Sequence, residues 1–203
     1  MEHKDIHILG PFVRSALRFS LDTHEVHQKQ KRKGKDVPYI THPLTVGLIL
    51  ARAGASDEVI AAGILHDTIE DSVAEHKVTR AILEERFGAL VADTVDSVTE
   101  VRTTNIWKEV KQEALLHTQT LTGPALWVKT ADVISNVSEI MDDHAHAGDA
   151  MFSRFGAPKA DFLANYRATI AALLVQWSKE TDSPNNPMVV DLTALAKDIA
   201  AIE

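Results

Sequence analysis

Polar residues interrupt the apolar helix patterns of this chain at three places. His42 stands directly before Pro43 at a predicted helix start, where the proline favours an extended backbone at His42. His66 and Asp67 end the most apolar predicted helix, and Asp132 lies within a third apolar pattern. Buried carboxylates are costly unless they are paired or bind a metal. Two imidazoles and two carboxylates can bind one divalent ion and leave room for water and substrate. This set suits Mn, Fe, Mg or Zn without choosing among them.

Two further carboxylates follow His66 and Asp67 after one helical turn. The i to i+4 spacing places Glu70 above His66 and Asp71 above Asp67. Each residue taken alone has an ordinary interpretation, since His42 can cap a helix and His66 with Asp67 can form a surface pair. The occurrence of all these polar groups beside apolar helix faces needs a common explanation, and a metal site is one.

A basic segment contrasts with the acidic balance of the chain. The net charge is −8, which argues against a surface that binds nucleic acid or anionic membrane throughout. Residues 29–35 nevertheless read KQKRKGK, with five basic residues among seven. Such a run is either a solvated loop or a local anion site suited to a phosphorylated small molecule. Further along, Lys129, Asp132 and Asn136 share one face of a predicted helix.

The elements that must position these residues are predicted to be helices throughout, so the fold class is all-α. The 203 residues suffice for one domain with a buried core, and the absence of cysteine excludes disulfides, zinc fingers and thiol nucleophiles. The predicted helices cover residues 13–30, 43–53, 57–71, 77–87, 88–99, 105–121, 125–141 and 159–179. Residues 142–158 are predicted to be a long loop, with a solvated acidic and histidine-rich cluster rather than a second metal site.

The two ends of the chain carry the remaining expectations about organisation. Residues 1–182 are predicted to form one domain, and 183–203 a linker and a C-terminal helix packed on it. The chain has no apolar run of membrane-spanning length, and its N-terminus lacks an apolar signal core. We therefore expect a cytoplasmic protein without a membrane or nucleic-acid partner. The sequence leaves the oligomeric state open.

Three phrases, in order along the chain, carry a resemblance to a known family. They are YITHP at 39–43, HDTIED at 66–71 and KTAD at 129–132. The chain resembles HD-domain phosphohydrolases and, more narrowly, the hydrolase domain of Rel/Spo-type (p)ppGpp enzymes and the small alarmone hydrolases. The same order contains further matching residues, namely His27, Gln30, Arg32, Lys33, Phe87, Gly88, Val95, Asp96 and Asn136. The match runs from residue 24 to about residue 140 and is far more specific than a single His-Asp pair.

The resemblance implies a buried metal site with one divalent ion, usually Mn²⁺, in a single HD-domain helical bundle. The implied ligands are His42, His66, Asp67 and Asp132. Glu70 and Asp71 match a catalytic acidic pair that activates or orients the attacking water. The implied reaction removes the 3′-pyrophosphate of ppGpp or pppGpp and yields GDP or GTP plus pyrophosphate. The implied substrate contacts are Arg32, Lys33, Lys129, Asn136 and Tyr166.

Departures from the family pattern leave the exact substrate open. The usual AD-R-L-H-N-L-R reads ADVISNVS at 131–138, Glu100 stands where a lysine is usual, and Lys29 replaces a glycine. Adenosine alarmones such as ppApp are therefore an alternative to guanosine alarmones. Two other functions stay open: another HD phosphohydrolase, such as a nucleotidase or dNTPase, and a non-catalytic alarmone-binding regulator. We expect no synthetase domain, because too few residues follow the helix of Asp132.

Overall fold

The computed structural model describes residues 10–100, 104–180 and 183–202, and within them the chain forms ten α-helices and no β-strand. The prediction of an all-α fold is confirmed. The helices are α1 Pro11–Leu21, α2 Thr41–Arg52, α3 Asp57–Leu65, α4 Thr68–Asp71, α5 Arg80–Phe87, α6 Ala89–Val98, α7 Trp107–Thr118, α8 Gly123–Ala147, α9 Lys159–Trp177 and α10 Pro187–Ala200. A π-helical segment, Asp22–His27, continues α1, and 3₁₀ turns cover Ala74–His76, Gly148–Arg154 and Ser183–Asn185.

Helix α3 lies at the centre of the fold. Its N-terminus is capped by Ser56, whose hydroxyl accepts a hydrogen bond from the Val59 N–H. Every residue of the run 59–65 is buried, and α3 packs against α1, α2, α6 and α8. Gly63 permits the close approach of α2, since a Cβ there would lie 2.2 Å from Leu50 Cδ1. The core therefore fixes the C-terminal end of α3, where His66 follows.

The predicted helix over 57–71 is divided in two by the structure. Helix α3 ends at Leu65, and the short α4 begins at Thr68. Asp67 has φ −93° and ψ −1°, which turns the chain between the two helices. The Asp71 N–H still donates to the Asp67 carbonyl over 2.9 Å, so the spacing of the acidic pair is kept. The turn leaves His66 buried and places its Nε2 atom 3.9 Å from Asp132 Oδ1 of α8.

The extended backbone predicted for His42 is wrong. Helix α2 begins at Thr41, so His42 lies inside its first turn and Pro43 follows within the same turn. Proline fits there because the first N–H groups of a helix have no intrahelical acceptor. The imidazole is thus held by a helix and not by a loop.

The loop predicted over 142–158 is also wrong. Helix α8 continues to Ala147, and Gly148, which has φ +56°, follows as its C-cap. Nothing before that glycine interrupts helical geometry, and His144 and His146 suit the negative end of the helix dipole. A 3₁₀ segment follows and buries Met151 and Phe152. The segment is therefore packed structure beside the site.

The C-terminal helix packs on the rest of the fold. Asn186 accepts a hydrogen bond from the Met188 N–H at the start of α10, and the helix contacts α8 and α9. Arg167 of α9 donates to the carbonyls of Ile199 and Ile202 at the other end. The domain boundaries 1–182 and 183–203 remain a prediction. Within the described part of the chain, each helix is too short or too polar to cross a bilayer.

Candidate metal centre and catalytic cavity

One cavity of about 370 Å³ gathers all the predicted site residues. It opens between α2, α4, α8 and α9 and the basic loop that precedes α2. The eleven predicted residues that line it are Arg32, Lys33, His42, His66, Asp67, Glu70, Asp71, Lys129, Asp132, Asn136 and Tyr166. They come from segments more than 130 positions apart in the sequence, so the packing of the helices alone brings them together.

The two histidines face each other at the bottom of this cavity. The Nε2 atoms of His42 and His66 are 3.2 Å apart, and both rings are buried. Each ring is oriented through its other nitrogen. His66 Nδ1 lies 2.8 Å from the Gly63 carbonyl, and His42 Nδ1 lies 3.0 Å from Ser135 Oγ. Since a carbonyl only accepts, His66 Nδ1 carries the proton, and its Nε2 lone pair points into the centre in the neutral ring.

Two carboxylates complete the centre from opposite sides. Asp67 Oδ2 lies 3.0 Å from His66 Nε2 and 3.7 Å from His42 Nε2. Asp132 Oδ1 lies 3.3 Å from His42 Nε2 and 3.9 Å from His66 Nε2. Ligand atoms of His42, His66 and Asp67 all lie within 4.8 Å of one another, a spacing that can hold a metal ion. Asp132 is next to this group on α8.

The carboxylates of the centre decide the ionisation of the groups around them. Burial would lower the pKa of His66, but the carboxylates of Asp67 and Asp132 outweigh it and raise that pKa to about 9. Burial opposes ionisation of Asp67, yet His66 and His42 hold its pKa well below the usual range. Two carboxylates and two inward-facing imidazole nitrogens thus share one largely buried volume. This donor set fits a divalent ion that prefers mixed nitrogen and oxygen ligands.

The supporting hydrogen bonds come from residues directly beside the ligand set. Tyr39 donates its hydroxyl to Asp67 Oδ2. On the face of α8, Lys129 Nζ donates to Asp132 Oδ2 over 2.9 Å, and Asn136 Nδ2 donates to Asp132 Oδ1 over 2.6 Å. These i+3 and i+4 contacts fix the carboxylate on its helix. Burial opposes the charge of Asp132, but Lys129 lowers its pKa far enough that it stays ionised.

The acidic pair sits on α4, one turn past the histidine–aspartate pair. Glu70 and Asp71 line the cavity. Asp71 Oδ2 accepts a 2.8 Å hydrogen bond from Gln30 Nε2. Burial and the nearby charge of Asp67 raise the pKa of Asp71. A carboxylate with a raised pKa, beside a candidate metal centre, is suited to accept a proton.

Ion pairs surround the outer rim of the cavity. Arg32 donates from Nε to Glu139 Oε2 over 2.8 Å and from its terminal nitrogen to Asn136 Oδ1 over 2.8 Å. Lys35 lies 2.6 Å from carboxylate oxygens of both Glu139 and Asp143. Arg154 also pairs with Asp143. The basic loop is therefore joined to the C-terminal half of α8 and to the segment after it.

A family model for the HD domain matches residues 16–148, about two thirds of the chain. The chain belongs to the HD domain family. The expected resemblance to Rel/Spo-type enzymes is confirmed by its relatives. The Aquifex aeolicus guanosine-3′,5′-bis(diphosphate) 3′-pyrophosphohydrolase is 47% identical over 77 residues, which cover 38% of this chain and 10% of that protein. Across eight such curated relatives, the matches span 8–18% of the relative's length.

Two solved structures share the fold of this HD domain. A metazoan SpoT ortholog described as hydrolysing ppGpp superposes with a TM-score of 0.71 at 17% identity, over 96% of this chain and 98% of that chain. At that identity the likeness establishes the fold alone. A protein from Listeria monocytogenes EGD-e superposes with a TM-score of 0.64 at 29% identity, over 77% of this chain and 96% of that one.

Some residues of the HD-domain cavity were not among the predicted site residues. Gln30 and Tyr39 both match the family pattern, Tyr39 as the first residue of YITHP, and this match could have identified them as site residues. Glu139 follows Asn136 by one helical turn on α8, so helix periodicity could have found it. No local pattern marks Phe155, since it belongs to the segment predicted as a loop. The cavity is lined also by Lys31, Val98, Glu100, Lys111, Val128, Ile140 and Arg154.

Aromatic residues of α9 and of the segment before it form a connected group at the cavity. The ring of Phe155 stacks on Phe162 with centroids 4.2 Å apart, and Phe162 is 5.1 Å from Tyr166. Lys33 Nζ lies 5.9 Å and the Arg154 guanidinium 4.8 Å from the centroid of Phe155. Cations over an aromatic face give this group both charge and a flat surface.

The acidic and histidine-rich residues near the end of α8 form a separate, outer group. His144 lies 3.2 Å from Asp149, and Lys159 pairs with the same carboxylate over 2.7 Å. Across the described residues, the metal-holding geometry is found at the His42 centre and not here. These contacts join α8 to α9.

Proposed function

We propose that this chain is a metal-dependent alarmone 3′-pyrophosphohydrolase, which converts ppGpp or pppGpp to GDP or GTP plus pyrophosphate. The observation that carries the proposal is the meeting of three sets of groups in one cavity. These are the imidazole and carboxylate centre, the acidic pair on α4 and the cations of the basic loop. The activity of the Aquifex relative and the ppGpp hydrolysis described for the metazoan SpoT ortholog support the same reaction.

In this proposal His42, His66, Asp67 and Asp132 hold one divalent ion, and Mn²⁺ is the metal we expect. When bound, such an ion lowers the pKa of water and polarises a phosphoryl oxygen. Tyr39, Lys129 and Asn136 hold the carboxylates in the orientation that this requires. The donor set itself is compatible with other divalent metals.

The protein's own acid–base groups are Glu70 and Asp71. They orient the attacking water. The water oxygen bonds to the phosphorus that is attached to the ribose 3′ oxygen, and the acidic pair accepts the proton of the water. The bond between that phosphorus and the ribose 3′ oxygen breaks, and this oxygen leaves as a hydroxyl after it takes up the proton that the acidic pair accepted from water. Glu70 and Asp71 line the same cavity as the centre.

The cations of the cavity offset the charge of a polyanionic substrate. Arg32 and Lys33 approach from the basic loop and Lys129 from α8, while Asn136 and Tyr166 supply neutral polar contacts. The planar guanidinium of Arg32 can pair with phosphate or stack on a purine. We propose a small nucleotide as the substrate, and a cytoplasmic location remains the prediction of the sequence.

The test is a direct assay of products. The purified protein is incubated with Mn²⁺ and ppGpp, with ppApp in parallel, and products are resolved by anion exchange beside an Asp67→Ala control. We expect GDP and pyrophosphate from the wild type and neither from the control. ADP from ppApp alone would keep the reaction and change the base preference. Turnover of neither compound by metal-loaded protein would contradict the proposal and favour a nucleotidase, a dNTPase or an alarmone-binding regulator.

A further inference from the structure

A buried histidine lies behind Asp71, and the proposed reaction does not use it. His24 belongs to the π-helical segment Asp22–His27 and is fully buried. Its Nδ1 is 3.0 Å from Gln30 Oε1, and its ring centroid is 5.0 Å from that of Tyr39. Its Nε2 is buried without a hydrogen-bond partner. A buried polar atom of this kind is rare and calls for a reason.

The hydrogen bonds define the orientation of both side chains. Gln30 Nε2 donates to Asp71 Oδ2 over 2.8 Å. An ionised carboxylate only accepts, so the amide nitrogen of Gln30 must face Asp71 and its oxygen must face His24. An amide oxygen only accepts as well, so His24 must donate from Nδ1. The donors therefore point in one direction, from His24 to Gln30 and from Gln30 to Asp71.

The backbone holds Gln30 in this position from two sides. The Gln30 N–H donates to the His24 carbonyl over 2.9 Å, and the Gln30 carbonyl accepts from the Tyr39 N–H over 2.9 Å. Lys29 has φ +51°, which lets the chain reverse after the π-helical segment and return Gln30 to His24. Burial lowers the pKa of His24, so its ring stays neutral and keeps a single proton on Nδ1.

We propose that His24 and Gln30 are positioning residues for Asp71. His24 fixes the amide of Gln30, and Gln30 holds Oδ2 of Asp71, which leaves Oδ1 for the attacking water. The unpartnered Nε2 of His24 follows from this arrangement, because the one proton of the neutral ring is used on the Gln30 side. The proposal rests on the proposed hydrolysis, in which Asp71 orients or activates water.

The test uses two branched side chains with the same number of heavy atoms at position 24. Asparagine places an N–H donor where His24 has Nδ1, whereas leucine fills similar space without a donor. We expect His24→Leu to lower kcat on the order of tenfold with KM within about twofold, and His24→Asn to restore most of kcat. Gln30→Met, which removes both hydrogen bonds, should lower kcat at least as far. The exposed His146→Leu is the matched control and should equal the wild type.

Several outcomes would overturn this inference. Equal kcat for His24→Leu and His24→Asn, or a change in KM without a change in kcat, would show that the ring only fills space. Ring ¹⁵N spectra of the Mg²⁺-loaded protein test the tautomer without any turnover, and a proton on Nε2 of His24 would contradict the donor order. If the wild type hydrolyses no alarmone, the proposed function fails, while the spectra still decide the orientation of His24.

Discussion

The metal centre and the outer rim of the cavity differ in how their charged groups are arranged and paired. At the centre, two imidazoles and two carboxylates converge with their acceptor atoms pointing inward, and the side chains of His42 and His66 are 2% and 5% exposed. At the rim, Arg32, Lys35 and Arg154 are already paired with carboxylates of α8. The donor atoms of the centre face one another and can share one cation, whereas the three rim cations already share two carboxylates, Glu139 and Asp143.

This difference assigns distinct roles to the two regions. Helices α2, α3 and α8 carry the centre on the packed core, so its donor atoms are fixed to within a small tolerance. The rim is built from a loop and a 3₁₀ segment, and any anion that binds there must compete with Glu139 for Arg32. We therefore expect changes at the centre to remove metal and turnover, and changes at the rim to affect mainly substrate affinity.

The largest effect is expected from Asp132→Asn. The change removes a carboxylate from the centre and leaves the ammonium of Lys129 without its 2.9 Å partner. Mn²⁺ affinity should fall at least about 100-fold, and turnover should fall with it. Titration calorimetry with Mn²⁺ and a melting curve measure both consequences. Unchanged Mn²⁺ affinity would remove Asp132 from the proposed ligand set.

Glu70→Gln separates chemistry from metal binding within the same region. The amide keeps the size of the side chain but cannot accept a proton, so kcat should fall on the order of 10²–10⁴-fold while the metal content stays the same. Metal analysis of the purified variant beside its kinetics checks this. If Glu70→Gln also loses the metal, Glu70 is a ligand, and the proposed division between centre and acidic pair is wrong.

Arg32→Lys tests the rim. Lysine keeps the positive charge but cannot span Glu139 and Asn136 with a planar fork. We expect KM to rise on the order of tenfold and kcat to change less than about twofold. Arg52→Lys, at an exposed ion pair with Asp191, is the matched control. A fall in kcat with constant KM would place Arg32 in the chemical step instead.

Low pH should weaken the ion pairs that Glu139 forms with Arg32 and Lys35 at the rim. Burial would raise the pKa of its carboxyl from 4.5, but Arg32 and Lys35 lower it to about 2. Because the folded-state pKa lies below the unfolded value, this stabilisation is full above pH 4.5 and is lost between pH 4.5 and 2. Urea unfolding at pH 7, 4 and 3 should show wild type and Glu139→Gln converging as pH falls. A constant difference would contradict the ion-pair interpretation.

The smallest effects are expected at Lys29, whose backbone conformation returns Gln30 to His24. Its φ of +51° is unfavourable for a side chain with a Cβ and most unfavourable for a β-branched one. Lys29→Val should lower the free energy of unfolding by about 1–2 kcal/mol, and Lys29→Gly should leave it unchanged or raise it by less than about 1 kcal/mol. Chemical denaturation measures both. Equal stability of the two variants would argue against the left-handed conformation.

The sequence by itself determined the all-α class and which residues share a helix face. Helical spacing predicted that Lys129, Asp132 and Asn136 share a face, and the motif phrases marked His42, His66 and Asp67 for the same cavity. A helix has 3.6 residues per turn, so residues three and four positions apart lie on the same face. Contacts within one helix can therefore be predicted from spacing alone. The metal and acid–base roles of these residues remain predictions.

Only the tertiary structure decided how the rim and the support of Asp71 are built. Arg32 and Glu139 are 107 positions apart, and their contact depends on how α8 crosses the basic loop. The segment after Ala147, predicted as a loop, is packed, and so Phe155 reaches the cavity. His24 gave no sequence signal, because its relation to Asp71 passes through Gln30 and a reversed backbone at Lys29. Spacing fixes the faces of helices, but packing geometry decides which distant faces meet.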